Sequence, residues 1–181
     1  MNNGIEEFRK IISKSKKNNT YKFALAKFLL DYSKECQEIK DTKIEYRVIA
    51  QYFLEYYWEQ VCKYNIKQVS SNQNTPIVVT IIQDYCDKES INRGEIVKEI
   101  AQKCFKDVIP RFQYQNGTFY RHYHEVKNRG YKMPLDEKRY ICLFKESIEL
   151  FRDNYEVLSD EVLGELERFL GKSNDGASLS D

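Results

Sequence analysis

The chain has 181 residues, of which 41% are hydrophobic and 31% charged, and this composition excludes a protein that is disordered throughout. With 29 basic and 28 acidic residues, its net charge of +1 excludes a polycation that coats nucleic acid indiscriminately. The longest uncharged apolar run, residues 77–82, is too short for a membrane span, and the N-terminus lacks an apolar signal core. We therefore expect a cytoplasmic protein without membrane contact.

Apolar residues recur at helical spacing through most of the chain, which predicts a mainly α fold. In the first half, the expected helices cover residues 5–13, 20–32, 44–65 and 76–85. The β-branched residues of the fourth segment would also suit a buried strand. Thr75 and Pro76 favour a helix, because they supply a cap and a first-turn proline.

The second half of the chain begins with a predicted helix from a cap at Ser90 to Phe105, and Pro110 is expected to break the helical pattern. Asn116-Gly117 then favours a type I′ turn, which predicts a β-hairpin over about residues 111–133. Two further helices are expected over residues 136–152 and 159–170, the second ended by Gly171. The sequence thus predicts one helical domain over residues 1–171 with a small hairpin insertion, and a disordered tail or linker stub over 172–181.

The chain has five cysteines, an odd number, and no two of them form a CxxC pair, so no zinc or dithiol motif is present. Cys62, Cys86 and Cys104 fall on the apolar sides of predicted helices, which favours small buried hydrophobic residues. The usual glycine-rich phosphate loops are also missing from the sequence. We therefore expect no cofactor.

The two histidines, His122 and His124, lie together in the predicted hairpin. At this spacing they point to the same side of a strand and could share a metal ion, whereas Glu125 points to the other side. A third ligand would have to come from elsewhere. A structural or surface role is favoured over a metal site, and the stretch lacks the further residues of an HNH nuclease site.

A basic segment precedes the second helix and predicts an anion-binding site there, because orphan amides and the helix dipole add to the lysine charges. The alternative is an ordinary helix cap with solvated lysines. The expected DNA contacts of this segment are Lys16, Lys17, Asn19, Thr20, Tyr21 and Lys22.

A second basic cluster lies in the hairpin, where Arg121, Lys127 and Arg129 are interleaved with tyrosines. Basic residues mixed with aromatic ones suit contacts to a nucleic-acid backbone together with stacking on bases. The C-terminal part of the chain, residues 145–181, is predominantly acidic and would stay clear of phosphates.

Three short segments carry a resemblance to a known family: NTYKFAL at 19–25, FLEYYWEQV at 53–61 and KYNIKQ at 63–68. They resemble the N-terminal helical region of bacterial HNH-type restriction endonucleases. The resemblance extends over about residues 19–170, with specific residues in the first half alone. It implies a DNA-recognition or assembly domain of a bacterial restriction-modification or antiviral defence system. Because no HNH module follows here, we expect no catalysis by this chain alone, and no catalytic residue can be carried over.

The function expected from the sequence is therefore a DNA-binding module of a defence nuclease, with duplex DNA favoured as the ligand. A nuclease subunit or a second copy of the chain is the expected protein partner. One alternative is a protein-interaction subunit that docks through its tyrosine-rich third helix. The other is a metal-dependent hydrolase that uses His122 and His124.

Overall fold

A computed structural model describes most of the chain. The described residues are 2–14, 20–66, 68–69, 74–86, 88, 90–113, 117–127 and 136–174. In chain order their elements are α1 (Asn2–Lys14), α2 (Tyr21–Glu35), β1 (Thr42–Glu45), α3 (Tyr46–Cys62), α4 (Ile77–Cys86), α5 (Arg93–Lys103), α6 (Phe105–Phe112), β2 (Tyr120–Lys127), β3 (Asp136–Leu143), α7 (Lys145–Asp153) and α8 (Tyr155–Asn174). This arrangement confirms the predicted fold class, mainly α with a small β component.

The core is built around α2, which packs against α3, α6, α7 and α8. Its buried residues occupy all sides of the helix, as expected for a helix at the centre of a protein. Aromatic rings join the surrounding elements: Phe151 of α7 lies 5.1 Å from Phe8 and 5.2 Å from Phe119, between ring centroids. On the other side of the core, Phe53 of α3 contacts Phe105 of α6 at 5.0 Å.

The sheet is antiparallel throughout, with the strand order β1-β3-β2. Its core face contains the buried residues Ile44, Ile141 and Tyr120. Its opposite face, here called the outer face, carries Lys43 on β1, Tyr140 on β3 and Tyr123 on β2. Within the described chain, the sheet is thus covered by helices on its core face alone, and β2 is an edge strand.

The hairpin occurs later in the sequence than predicted. It was expected over residues 111–133, whereas its strands are Tyr120–Lys127 and Asp136–Leu143. Gly117 does adopt a positive φ of 78°, but it precedes β2 and does not link two strands. The predicted helix over 136–152 was wrong in its first half, because residues 136–143 alternate between the two faces of the sheet as β3.

Several helix boundaries also differ from the prediction. Pro110 lies inside α6 and does not break it. The short helix loses one internal bond there, and the Ile109 carbonyl accepts a hydrogen bond from the Tyr120 hydroxyl at 2.7 Å. Asn92, not Ser90, caps α5, since its side-chain oxygen accepts bonds from two backbone amides. Gly171 lies within α8, and residues 175–181 of the expected tail are outside the described residues.

Two cysteines expected to be separate form a disulfide. Cys62 ends α3 and Cys86 ends α4, and the two are bonded with their Cα atoms 5.4 Å apart. This corrects the interpretation of both as small buried hydrophobic residues, which holds for Cys104. The pairing was not visible in the sequence because it depends on the packing of α3 against α4.

Within the part of the chain that the structure describes, no helix combines the length and the apolar character needed to cross a bilayer.

Gly117→Ala is expected to destabilise the protein by about 1–3 kcal/mol, because residue 117 has a positive φ and an added Cβ would lie 2.8 Å from the Tyr120 carbonyl oxygen. Gly171→Ala is the matched control. Its added Cβ meets nothing within 4 Å, so this substitution in a helix should stabilise by about 0.5–1 kcal/mol. Urea unfolding of both variants measures the difference, and equal effects would contradict the backbone assignment at Gly117.

Reduction with dithiothreitol should lower the free energy of unfolding by about 2–4 kcal/mol, because the disulfide restricts the unfolded chain. The double variant Cys62→Ser, Cys86→Ser should not respond to the reductant. Cys142→Ser, which removes a free thiol, should respond as the unaltered protein does. If reduction leaves the unaltered protein equally stable, the two sulfurs are not bonded.

Candidate nucleic-acid interface

The start of α2, predicted as an anion site, is built into the core. Thr20 is 2% exposed, and its Oγ1 lies 2.7 Å from the Tyr57 hydroxyl and 2.9 Å from Oε1 of Gln68. The Tyr21 hydroxyl accepts a bond from the backbone amide of Val78 at 2.8 Å. Burial is the main cause that raises the pKa of both Tyr21 and Tyr57. These hydroxyls therefore hold α2 against α3, α4 and residue 68.

This placement corrects two predicted DNA contacts. Thr20 and Tyr21 use their hydroxyls inside the protein, and the Thr20 side chain makes no cap hydrogen bond to α2. Lys22 is half-buried on the first turn of α2. Lys16, Lys17 and Asn19 lie outside the described residues, so the described part of the segment does not assemble the expected site.

The tyrosines of α3 are also turned inward. The Tyr56 hydroxyl donates to Asp31 of α2 at 2.6 Å, and Tyr52 donates to Glu35 of the same helix. A third hydroxyl, of Tyr155 in α8, donates to Asp31 at 2.9 Å. These hydroxyls thus bridge α2 to α3 and α8, while the rings of Tyr52 and Tyr56 are half-buried.

A row of stacked groups crosses the outer face of the sheet. Lys43 places its Nζ 3.9 Å from the centroid of the Tyr140 ring, and Tyr140 stacks on Tyr123 with centroids 4.9 Å apart and an interplanar angle of 16°. Arg121, on the same face, has its guanidinium carbon 5.7 Å from the centroid of the Phe144 ring. Cations thus flank a pair of aromatic rings, and Tyr123 remains 38% exposed.

An open cleft of about 530 Å³ lies beside the outer strand β2, and we call it the hairpin cleft. Its lining includes Pro110, Gln113, Gly117, Arg121, His122 and Tyr123. The Gln113 side chain fixes its wall, because Nε2 donates to the Tyr120 carbonyl at 2.6 Å and Oε1 accepts from the amides of Phe119 and Tyr120. The chain is therefore held in one path where it enters β2.

Carboxylates near the outer face reduce its positive charge. Glu45 lies opposite Tyr140 in the strand register. Burial raises the pKa of the Cys142 thiol, Asp41 raises it further, and Arg121 opposes both. Asp41 accepts a bond from the Lys145 amide at 2.9 Å, which partly satisfies its charge. The face is therefore moderately basic and not a strongly charged patch.

The hairpin contains the remaining predicted site residues. Arg121 is exposed on the outer face, and His122 lines the hairpin cleft. Lys127 and His124 belong to β2, but their side chains, like Arg129, are outside what the structure describes. The strand register pairs His122 with Ile141 and His124 with Arg139, so both histidines lie on the same face of the sheet as Ile141.

Among the described residues, no group of three or more His, Cys, Asp or Glu side chains could hold a metal ion. The metal-dependent alternative therefore gains nothing from the described geometry.

Sequence reasoning missed Lys43 and Tyr140 as site residues. Strand β1 is four residues long, and its second half had been included in the third helix predicted over 44–65, while β3 had been assigned to a helix. The sequence carries little signal for β3, because residues 136–139 are all charged and residues 140–143 are all apolar or aromatic, without the alternation expected of a half-buried strand. The contact between Lys43 and Tyr140 depends on the pairing of β1 with β3, which is distant in sequence.

The fold and this face define a mostly helical domain with a small antiparallel sheet that presents cations and stacked rings. The chain belongs to the family described as Domain of unknown function (DUF8808), whose model matches residues 1–155. This match includes the whole sheet and α1 to α7. No curated protein and no solved structure matches the chain.

Thr20→Val is expected to destabilise the protein by about 1–3 kcal/mol, because it leaves the buried oxygens of Tyr57 and Gln68 without their shared partner. Thr80→Val makes the same change at an exposed position of α4 and should alter stability by less than about 0.5 kcal/mol. Urea unfolding measures both. Equal stability of the two variants would show that the buried network is not formed.

Proposed function

We propose that the chain is a DNA-binding module of a cytoplasmic bacterial restriction or phage-defence nuclease, non-catalytic by itself, which binds through the outer face of its hairpin. The observation that carries this proposal is the row Lys43, Tyr140 and Tyr123, with Arg121 beside it at the hairpin cleft. Lysine and arginine attract phosphates, and exposed rings stack on bases.

The shape of the hairpin supports the same proposal. β2 and β3 are paired over eight residues, and Arg121 and Tyr123 on their outer face are exposed. Beyond the end of β1 the sheet narrows to β2 and β3, and a two-stranded ribbon is narrow enough to approach a nucleic acid along a groove or a strand. The basic segment with Lys16, Lys17 and Lys22 stays a second proposed contact, through its lysines and not through Thr20 or Tyr21.

The resemblance to HNH-type restriction endonucleases supports the defence context of the proposal. In that context a nuclease subunit, or a second copy of this chain, is the proposed partner. The module would hold DNA while another polypeptide segment cuts it.

The double variant Lys43→Glu, Arg121→Glu is expected to weaken DNA binding about tenfold or more and to reduce the dependence of log affinity on log salt by about two. Each substitution replaces a cation that we expect to lie near a phosphate. Fluorescence anisotropy with a labelled oligonucleotide, over a series of salt concentrations, measures both quantities.

The control variant Lys63→Glu, Lys88→Glu makes the same change in net charge at exposed positions beyond α3 and α4. It should retain most of the affinity. If both double variants lose affinity equally, binding follows net charge and not the outer face. If the unaltered protein does not bind DNA at low salt, the proposed function is wrong.

A further inference from the structure

We propose that the hairpin cleft receives one unpaired base, stacked on the free face of Tyr123, so that the module prefers single-stranded DNA or extruded bases to closed duplex. This inference rests on the proposed function and names its ligand more narrowly. It also reverses the expectation that duplex is the favoured ligand.

The stack on the outer face is open at one end. Tyr140 lies on the central strand β3, so it covers the face of Tyr123 that is turned toward the middle of the sheet. Lys43 closes the far side of Tyr140. Among the described residues, no further ring or cation stacks on Tyr123, which borders the hairpin cleft at the edge of the sheet. A planar aromatic ligand would therefore extend an existing stack by one layer.

Base pairing decides which nucleic acid can supply that layer. In a closed duplex the faces of the bases are covered by their neighbours, and a protein reaches their edges alone. The exposed face of Tyr123 can stack only on a base that has left such a stack. The cleft volume of about 530 Å³ lies within the usual range of about 300–1,000 Å³ for small-ligand sites.

The polar groups of the cleft fit a base with an attached phosphate. Arg121 is exposed beside Tyr123 on the outer face and can contact the flanking phosphate, whereas His122 borders the cleft from the other face of β2. Gln113 has little capacity left to bind a base edge, because its amide oxygen and one of its two Nε2 hydrogens are bonded to the backbone. Stacking with few specific hydrogen bonds predicts binding that tolerates many sequences.

The test compares Tyr123→Leu, Tyr123→Phe and the control Tyr64→Leu, which removes a tyrosine that is 57% exposed just beyond α3. The probes are a labelled oligothymidylate of about 12 nucleotides, a ribonucleotide strand of the same length and a duplex of the same length. Tyr123→Leu should weaken binding of the DNA strand by roughly 5- to 100-fold. Tyr123→Phe and Tyr64→Leu should bind within about twofold of the unaltered protein, because stacking needs the ring alone.

Ultraviolet crosslinking of the unaltered protein to the oligothymidylate, followed by peptide mapping, gives a measurement that does not depend on a folded variant. A crosslink at Tyr123 is expected, and crosslinks confined to other segments would overturn the inference.

Unchanged single-strand binding by folded Tyr123→Leu, or tighter binding of duplex than of single strands, would overturn it too. The proposed function would then stand if the Lys43 and Arg121 variant still loses affinity, whereas absence of all binding would remove both proposals. Preference for the ribonucleotide strand would keep the base site and contradict DNA as its ligand.

Discussion

The burial of α2 on all sides is the constraint on which the rest of the structure depends. A helix in this position must find partners inside the protein for every polar group at its start. Thr20 bonds to Tyr57 and Gln68, and Tyr21 accepts from the amide of Val78. The same bonds fasten α3, α4 and residue 68 to the central helix. Groups that satisfy the core in this way are not free to bind a phosphate, which moves the candidate site away from α2.

The sheet is suited to binding because it is covered on one side. Ile44, Ile141 and Tyr120 attach it to the helices, and their neighbours along each strand consequently point outward. On that face the rings of Tyr123 and Tyr140 pack against each other, and Lys43 packs against Tyr140. Edge strands such as β2 are prone to unwanted pairing with other chains, and the charged and polar residues of β2 counteract this tendency.

Helical periodicity predicted the fold class because the helices pack locally and repeat their apolar residues at regular spacing. It failed where long-range pairing decides the structure. Ile44 continues the apolar pattern of α3, yet residues 42–45 pair with β3, about a hundred residues later. Asn116-Gly117 resembled a hairpin turn, but Gly117 precedes β2, and the Gln113 amide binds the backbone of Phe119 and Tyr120 at the start of that strand. Arg121 and His122 were identified from the sequence as candidates, whereas Lys43 and Tyr140 became visible through the strand register alone.

The bond between Cys62 and Cys86 has a consequence for a protein proposed to work in the cytoplasm, where thiol buffers keep most cysteines reduced. Under such buffering the two sulfurs would usually be thiols, and the segment between them would be held by the packing of α4 against α3 and α5 and by the buried Gln68 and Val69. An oxidative burst would add a covalent tether to that segment. The free energy of unfolding of the domain would then increase under oxidising conditions. The hairpin, which lies outside residues 62–86, would keep its geometry.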